Sequence, residues 1–253
     1  MADHLLEIKN LSISFGKGQS ENKVVNNLSY TLERGKTLAI VGESGSGKSI
    51  TSLTIIGLLH RLAKLDSGEI LYHATEKESI DLLSLSEDEI RKYRGKEIGM
   101  IFQEPMTSLN PVLKCGEQVA EAVRLHLGYN KADAKKKVVE WFEEVLLPRP
   151  EQIYEAYPHQ LSGGQKQRVM IAMAMCCNPR LLIADEPTTA SDVTVQKAIL
   201  QLIKDLQQKH QMSVIFITHD LGVVAEIADH VIVMQKGQKV EEGTTEALFK
   251  NAS

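Results

Sequence analysis

The chain has 253 residues, 43% of them hydrophobic and 25% charged, an ordinary globular balance long enough for one large domain or two intimate ones. A net charge of −4 argues against a nucleic-acid partner, whose binding surface is normally basic. Cys115, Cys176 and Cys177 match no zinc or iron–sulfur spacing, and their odd number suits a reducing compartment. No apolar run approaches the ~18 residues that span a bilayer, and Met1-Ala2-Asp3-His4 does not read as a secretory signal. Work at a membrane would require another anchor.

Leu6 to Ser14 alternates, with Leu6, Ile8, Leu11 and Ile13 apolar, and predicts a strand with an irregularity near Asn10. Gly16 to Lys23 reads as a hairpin loop, and Val24 to Leu32 as the returning strand, closed by Glu33-Arg34-Gly35-Lys36. An antiparallel flap is therefore expected first. Phe15 ends its first strand; such a residue is most often a rim side chain, and its functional reading is a ring on which adenine stacks.

The apolar strand Thr37-Leu38-Ala39-Ile40-Val41 runs into Gly42-Glu43-Ser44-Gly45-Ser46-Gly47-Lys48-Ser49, and an apolar helix is predicted from Lys48 to Leu59. This is G-x-x-x-x-G-K-S between strand and helix, the context that a phosphate loop needs. Glycines let successive backbone N–H groups curl round a phosphate, and the helix points its positive end at the same anion. Lys48 would reach the β- and γ-phosphates and the Ser49 hydroxyl would ligate Mg²⁺. The stretch predicts a nucleoside triphosphate site.

Beyond it, Gly68 to Tyr72 suggests a short strand, and His73 to Lys96 a polar loop with a helical turn at Ser86–Tyr93. Ile98 to Phe102 is an apolar strand ending in Gln103-Glu104-Pro105, after which the periodicity is helical to about Asn178. Val119, Ala122, Val123 and Leu127 share one face, and Val138, Trp141, Phe142, Val145 and Leu146 another. A helical subdomain inserted between strands is expected, with Trp141 and Phe142 in its core.

Leu181-Leu182-Ile183-Ala184-Asp185-Glu186 is an apolar strand delivering two carboxylates at its end, the end that faces the ligand crevice in an open parallel sheet. Asp185 would hold Mg²⁺ while Glu186 polarises the attacking water. Gln103 ends another strand, where its amide would bind both metal and water, and His219 follows the strand Ser213–Thr218, where a donor could reach the γ-phosphate. Leu161-Ser162-Gly163-Gly164-Gln165 opens a further helix, a second anion-binding helix start. One phosphate loop serves one nucleotide, so a second such start makes sense if it serves a nucleotide held by another chain.

That set, in that order, resembles the ATP-binding-cassette family of ATPases across essentially the whole chain. The resemblance implies an α/β fold: a RecA-like P-loop core with an N-terminal antiparallel β-subdomain and an inserted α-helical subdomain. The expected division is 1–103 for the β-subdomain and first part of the core, 104–178 for the helical subdomain, and 179–253 for the rest of the core. It implies ATP and Mg²⁺ as cofactors. Phe15, the run Gly42 to Ile50 (Gly42, Glu43, Ser44, Gly45, Ser46, Gly47, Lys48, Ser49, Ile50) and Ser162, Gly163, Gly164 and Gln165 would bind nucleotide. Ser49, Gln103 and Asp185 would hold the metal, and Glu186, His219 and Gln103 would serve catalysis. Two cassettes would pack head to tail, each ATP lying between one chain's phosphate loop and the partner's Ser162–Gln165.

Ile101-Phe102-Gln103-Glu104-Pro105-Met106-Thr107-Ser108-Leu109-Asn110-Pro111, Tyr157-Pro158-His159-Gln160 and Asp185-Glu186-Pro187-Thr188-Thr189-Ala190 are similar to the oligopeptide, dipeptide and nickel importers of that family. The resemblance implies the energy-coupling ATPase of a bacterial importer for peptides or a related solute, nickel included. It would lie peripherally on the cytoplasmic face of the plasma membrane, docked by permease subunits near Gln103 and served indirectly by an extracytoplasmic solute-binding protein. Two departures stand out. Ser191, before Asp192, replaces the family's usual leucine in a loop that crosses the dimer, and would weaken that dimer if buried. The chain also stops at Ser253, where the group usually continues with a Pro-Tyr-Thr segment, which suggests a shortened member or half of a two-cassette chain. A soluble cassette ATPase acting on DNA or ribosomes would call for coiled-coil or zinc insertions and basic surfaces. A P-loop kinase or GTPase would leave Leu161–Gln165 unexplained, and the Gln103–Pro111 stretch argues against an exporter.

Overall fold

A computed structural model of the chain describes residues 3–16, 22–75, 78–103, 108–188 and 193–251. The chain divides into two units, Met1–Arg91 with Met212–Ser253, and Lys92–Gln211. Glu104 to Thr107 and Thr189 to Asp192, Ser191 among them, lie outside the described residues.

In the first unit, β1 (His4–Phe15) pairs antiparallel with β2 (Asn22–Glu33) on one side and β4 (Ala63–Thr75) on the other, and β5 (Glu78–Asp81) extends the sheet. The expected irregularity in β1 is present: Asn10 has φ 49° and the pairing with β2 shifts register between Ile8 and Leu11. Asparagine tolerates this left-handed conformation better than a branched residue would. Asn27, opposite on β2, has φ 52°. Serine hydroxyls take the two displaced donors: Asn10 N–H gives to Ser29 Oγ at 2.8 Å and Asn27 N–H to Ser12 Oγ at 3.0 Å. Both amides therefore keep a partner where the ladder breaks.

β3 (Thr37–Gly42) lies between β8 (Ser213–Thr218) and β9 (His230–Gln235), parallel to both, and β10 (Gln238–Thr244) adds antiparallel to β9. Every residue from Ser213 to Thr218 is buried, as strands covered on both faces require. Helix α1 (Lys48–Ile55) is shorter than the Lys48–Leu59 expected from apolar content. Gly57, at φ 66°, ends it: Leu58 N–H reaches the Leu53 carbonyl at 2.7 Å and Gly57 N–H the Thr54 carbonyl at 3.0 Å. That double bond is a Schellman stop, which a glycine in the sequence permits. β4 in turn is longer than Gly68–Tyr72, because β1 supplies partners along it from Ala63 to Tyr72. The polar region after it holds β5 and α2 (Glu87–Ile90), the latter opened by a capping box between Ser86 and Glu89.

In the second unit, β6 (Ile98–Ile101) and β7 (Leu181–Asp185) pair in parallel, Ile101 opposite Ala184. Around them come α3 (Cys115–Leu127), α4 (Lys131–Glu144), α5 (Pro150–Glu155), α6 (Gly163–Met175) and α7 (Val193–His210). Val119, Val123, Val138, Trp141, Phe142 and Val169 are buried, and a buried aromatic of this kind contributes about 1.5–3 kcal/mol of apolar burial. Leu146 departs from the expected stripe: it is 67% exposed. The helix stops at Glu144, Leu146 turns left-handed at φ 58°, and Leu147 enters the core in its place.

A polar clamp on the surface joins three of these helices. Glu155, ending α5, accepts from Lys114 Nζ at 2.8 Å, at the start of α3, and from Lys135 Nζ of α4 at 2.6 Å. Those two ammonium groups, Lys114 foremost, hold its carboxyl down at about 2. A depressed folded pKa contributes stability that is complete above the unfolded value of about 4.5 and lost as pH falls toward about 2. Glu155→Gln should therefore lower the urea midpoint at about pH 6, and the gap from wild type should have narrowed at about pH 3, on its way to closing below about pH 2. Equal gaps at both pH values would show that the clamp contributes through shape rather than charge.

Candidate functional site

β3 delivers the loop Glu43–Gly47 to the start of α1, and its path depends on close backbone approaches in the first unit. A Cβ on Gly42 would stand 2.2 Å from the Met234 carbonyl oxygen, and one on Gly47, where φ is 98°, would stand 2.7 Å from that of Val24. Only glycine fits either place. Lys48 is buried, and its Nζ folds back to donate to the carbonyls of Gly42 at 2.7 Å and Glu43 at 2.9 Å. The ammonium is thus fixed over its own loop. Glu43, Ser44 and Gly45 form the exposed rim, while Ser49 and Ile50 begin the helix half-buried.

The cradle fits an anion. No side chain caps the first turn of α1, and no acidic residue lies in it, so its amides keep their positive field. The Ser46 hydroxyl is buried without a hydrogen-bond partner among the described residues, a donor held ready. Thr51 bonds the Gly47 carbonyl at 2.9 Å and steadies the turn from beneath. His219 follows β8, whose Thr218 pairs with Val41, so its exposed imidazole emerges at the same sheet end as Gly42. Asp220 caps α8 (Leu221–Ile227), accepting from Gly222 N–H at 2.8 Å, which fixes the chain just past His219. Phe15 lies at the end of β1, opposite Asn22 and Ala63, with its ring partly exposed.

The second unit brings together Gln103, Asp185 and Glu186. Because Ile101 and Ala184 are paired, Gln103 and Glu186 leave their strands in step, and Gln103 Nε2 donates to Glu186 Oε2 at 3.1 Å. Asp185 is buried at the strand end. Glu186 has φ 44°, a conformation that costs a non-glycine residue on the order of 1–3 kcal/mol and persists where surroundings enforce it. One enforcing contact was not anticipated from the sequence. Gln167 of α6, buried, donates from Nε2 to the carbonyl of Pro187, the residue after Glu186. Gln167 stands among the polar residues Gln165, Lys166 and Arg168, so nothing in the sequence singles it out. Among the described residues no His, Cys, Asp and Glu group forms a closed metal cage. That suits Mg²⁺, which takes one or two protein ligands and fills its shell with water and phosphate oxygens. Ser49 and Asp185 have the right donor chemistry.

Ser162 caps α6 in a reciprocal box: its Oγ accepts from Gln165 N–H at 3.3 Å and Gln165 Oε1 accepts from Ser162 N–H at 2.9 Å. Among the described residues a Cβ on Gly163 would meet nothing within 4 Å, and one on Gly164 only a Val195 methyl at 3.7 Å. Packing among the described residues therefore demands neither glycine. No acidic residue lies in the first turn of this helix either.

Comparison with known proteins gives the family and the fold. The family model described as ABC transporter matches residues 25–189. The chain is 52% identical over 249 residues to the glutathione import ATP-binding protein GsiA of Escherichia coli (strain K12), and equally to that of Shigella boydii serotype 4 (strain Sb227). The match takes in 98% of this chain and 40% of each relative, so the chain spans about two fifths of their length. Among solved structures it is similar to the dimeric post-hydrolysis state of the ATP-binding cassette MJ0796 bound to ADP and Pi. That likeness has a TM-score of 0.82 at 30% identity and covers 95% of this chain and 98% of that one. It is also similar to cbiO1 from Clostridium perfringens, part of the ABC transporter complex cbiONQ, with a TM-score of 0.81 at 27% identity over 99% of this chain and 92% of that one. The fold is accordingly the RecA-like cassette. The chain belongs to the ABC transporter family.

Proposed function

We propose that the chain is the ATP-hydrolysing cassette of an importer for peptides or a related small solute, working as a dimer in which two copies, or this chain and a similar cassette, share each nucleotide. The observation that carries it is the pair of anion-ready helix starts, one with Lys48 folded over its loop and the other with Gly163 and Gly164 left open. A phosphate loop accounts for the first, and a nucleotide presented by another cassette accounts for the second.

In this reading Lys48 turns from the Gly42 and Glu43 carbonyls to the β- and γ-phosphates, with the amides of Gly45 to Ser49 around them. Phe15 carries the adenine. Ser49, Gln103 and Asp185 would hold Mg²⁺, whose charge would offset that of the phosphates. Glu186 and Gln103 orient the attacking water, and His219 donates to the γ-phosphate as charge develops there. The partner's Ser162, Gly163, Gly164 and Gln165 close on the same phosphate from the other side.

Among the described residues no helix is long and apolar enough to cross a membrane, so a permease would supply the channel. Relatives named for glutathione import support a peptide-like solute. Peripheral attachment to the cytoplasmic face of the plasma membrane, and an extracytoplasmic binding protein that feeds the permease, follow from the importer reading.

Glu186→Gln should keep ATP binding and lower steady-state turnover by about 10²–10⁴-fold, the ordinary cost of a lost positioned base. A variant that retains half of the wild-type turnover would remove Glu186 from the mechanism. In cells, the same substitution should abolish uptake of a labelled glutathione-like tripeptide that depends on this chain. Undiminished uptake would detach the chain from that transport.

A further inference from the structure

The proposed adenine platform has a neighbour that the family reading does not use. His60 lies in the loop between α1 and β4, and its ring stacks on Phe15 with centroids 6.2 Å apart and planes inclined at 29°. Those values fall within the ordinary range for paired rings. The separation is too short for a base to slide between them, so the imidazole backs one face of Phe15.

The loop holds that imidazole independently of Phe15. Ala63 N–H donates to the His60 carbonyl at 2.8 Å, closing a tight turn, and Leu62 N–H donates to His60 Nδ1 at 3.2 Å. A ring nitrogen that accepts carries no proton, so the neutral imidazole bears its hydrogen on Nε2. The turn ends at Ala63, which pairs with Phe15 in the sheet. One short loop thus sets the register of the strand beside Phe15 and places a second ring behind it. Phe15 itself closes β1 and adjoins residues 17–21, which lie outside the described residues.

We propose that His60 is a positioning residue of the nucleobase subsite: it backs Phe15 so that the outer face of that ring meets a purine. The inference rests on the ATP reading above and adds to it a determinant of base affinity. Its effect should be confined to ligands that possess a base.

The test measures dissociation constants on the full chain for a non-hydrolysable ATP analogue and for inorganic triphosphate, which has no base. His60→Asn keeps a side-chain acceptor for Leu62 N–H and removes the ring. It should weaken the ATP analogue by about two- to tenfold, the range of one aromatic pair, and leave triphosphate unchanged. His60→Phe should restore the affinity. In a Phe15→Ala background, His60→Asn should cost less than about twofold more, because the two rings act as one unit. An unchanged ATP affinity in His60→Asn, an equal loss for triphosphate, or full additivity with Phe15→Ala would each overturn the role of His60. ATP binding that is absent, or indifferent to Lys48→Ala, would instead overturn the ATP reading beneath it.

Discussion

The approach of two carbonyls to the phosphate loop is the constraint on which the first unit depends. The Met234 oxygen reaches Gly42 and the Val24 oxygen reaches Gly47, each inside the space a Cβ would fill. Further backbone bonds tie the same places together: Gly237 N–H donates to the Ser46 carbonyl at 3.2 Å, and Asn26 N–H to the Gly237 carbonyl at 2.8 Å. The loop is therefore enclosed by β2 on one side and the β9–β10 turn on the other. A loop so confined can hold its amides convergent before any phosphate arrives, and preorganised dipoles need no costly rearrangement when charge appears. The fold of the flap and the parallel strands can be understood as what keeps those two carbonyls in place.

The second unit works by a different economy. Its carboxylate end carries local strain at Glu186, held by Gln103 from the side chain and by Gln167 through the next carbonyl. Its signature helix is the reverse case, capped within itself by the Ser162–Gln165 box, with glycines that packing among the described residues does not require. Strain at one place and unused space at the other are both features that packing alone does not select. They acquire a reason together if the strained carboxylate serves the chain's own nucleotide and the open helix start serves a partner's.

Much of this was legible in the sequence because the signals are local. The glycines, Lys48 and Ser49 declare the loop at fixed spacing, and the apolar runs before Gly42, Asp185 and His219 declare strands whose ends carry chemistry. What escaped depends on contacts distant along the chain. The length of β4 is set by β1, which pairing patterns do not reveal in advance. The burial of Leu147 in place of Leu146 follows from a left-handed turn at a leucine, a residue that rarely adopts one. Gln167 carries its role through Pro187, twenty residues away, and His60 through a ring at the far end of another strand. The stop of α1 at Gly57 was readable, and apolar content after it misled the longer estimate.

The central claim is that one chain holds two incomplete halves of a nucleotide site and completes neither by itself. Mixing a Lys48→Ala chain with a Ser162→Arg chain tests it most directly. Each variant alone should be inactive, one lacking the cradle and the other the closing helix start. In the mixture, random pairing leaves one intact site in every mixed dimer, so ATP hydrolysis should return to about a quarter of the wild-type specific activity. A mixture as inactive as its components at every ratio and concentration would contradict the shared site.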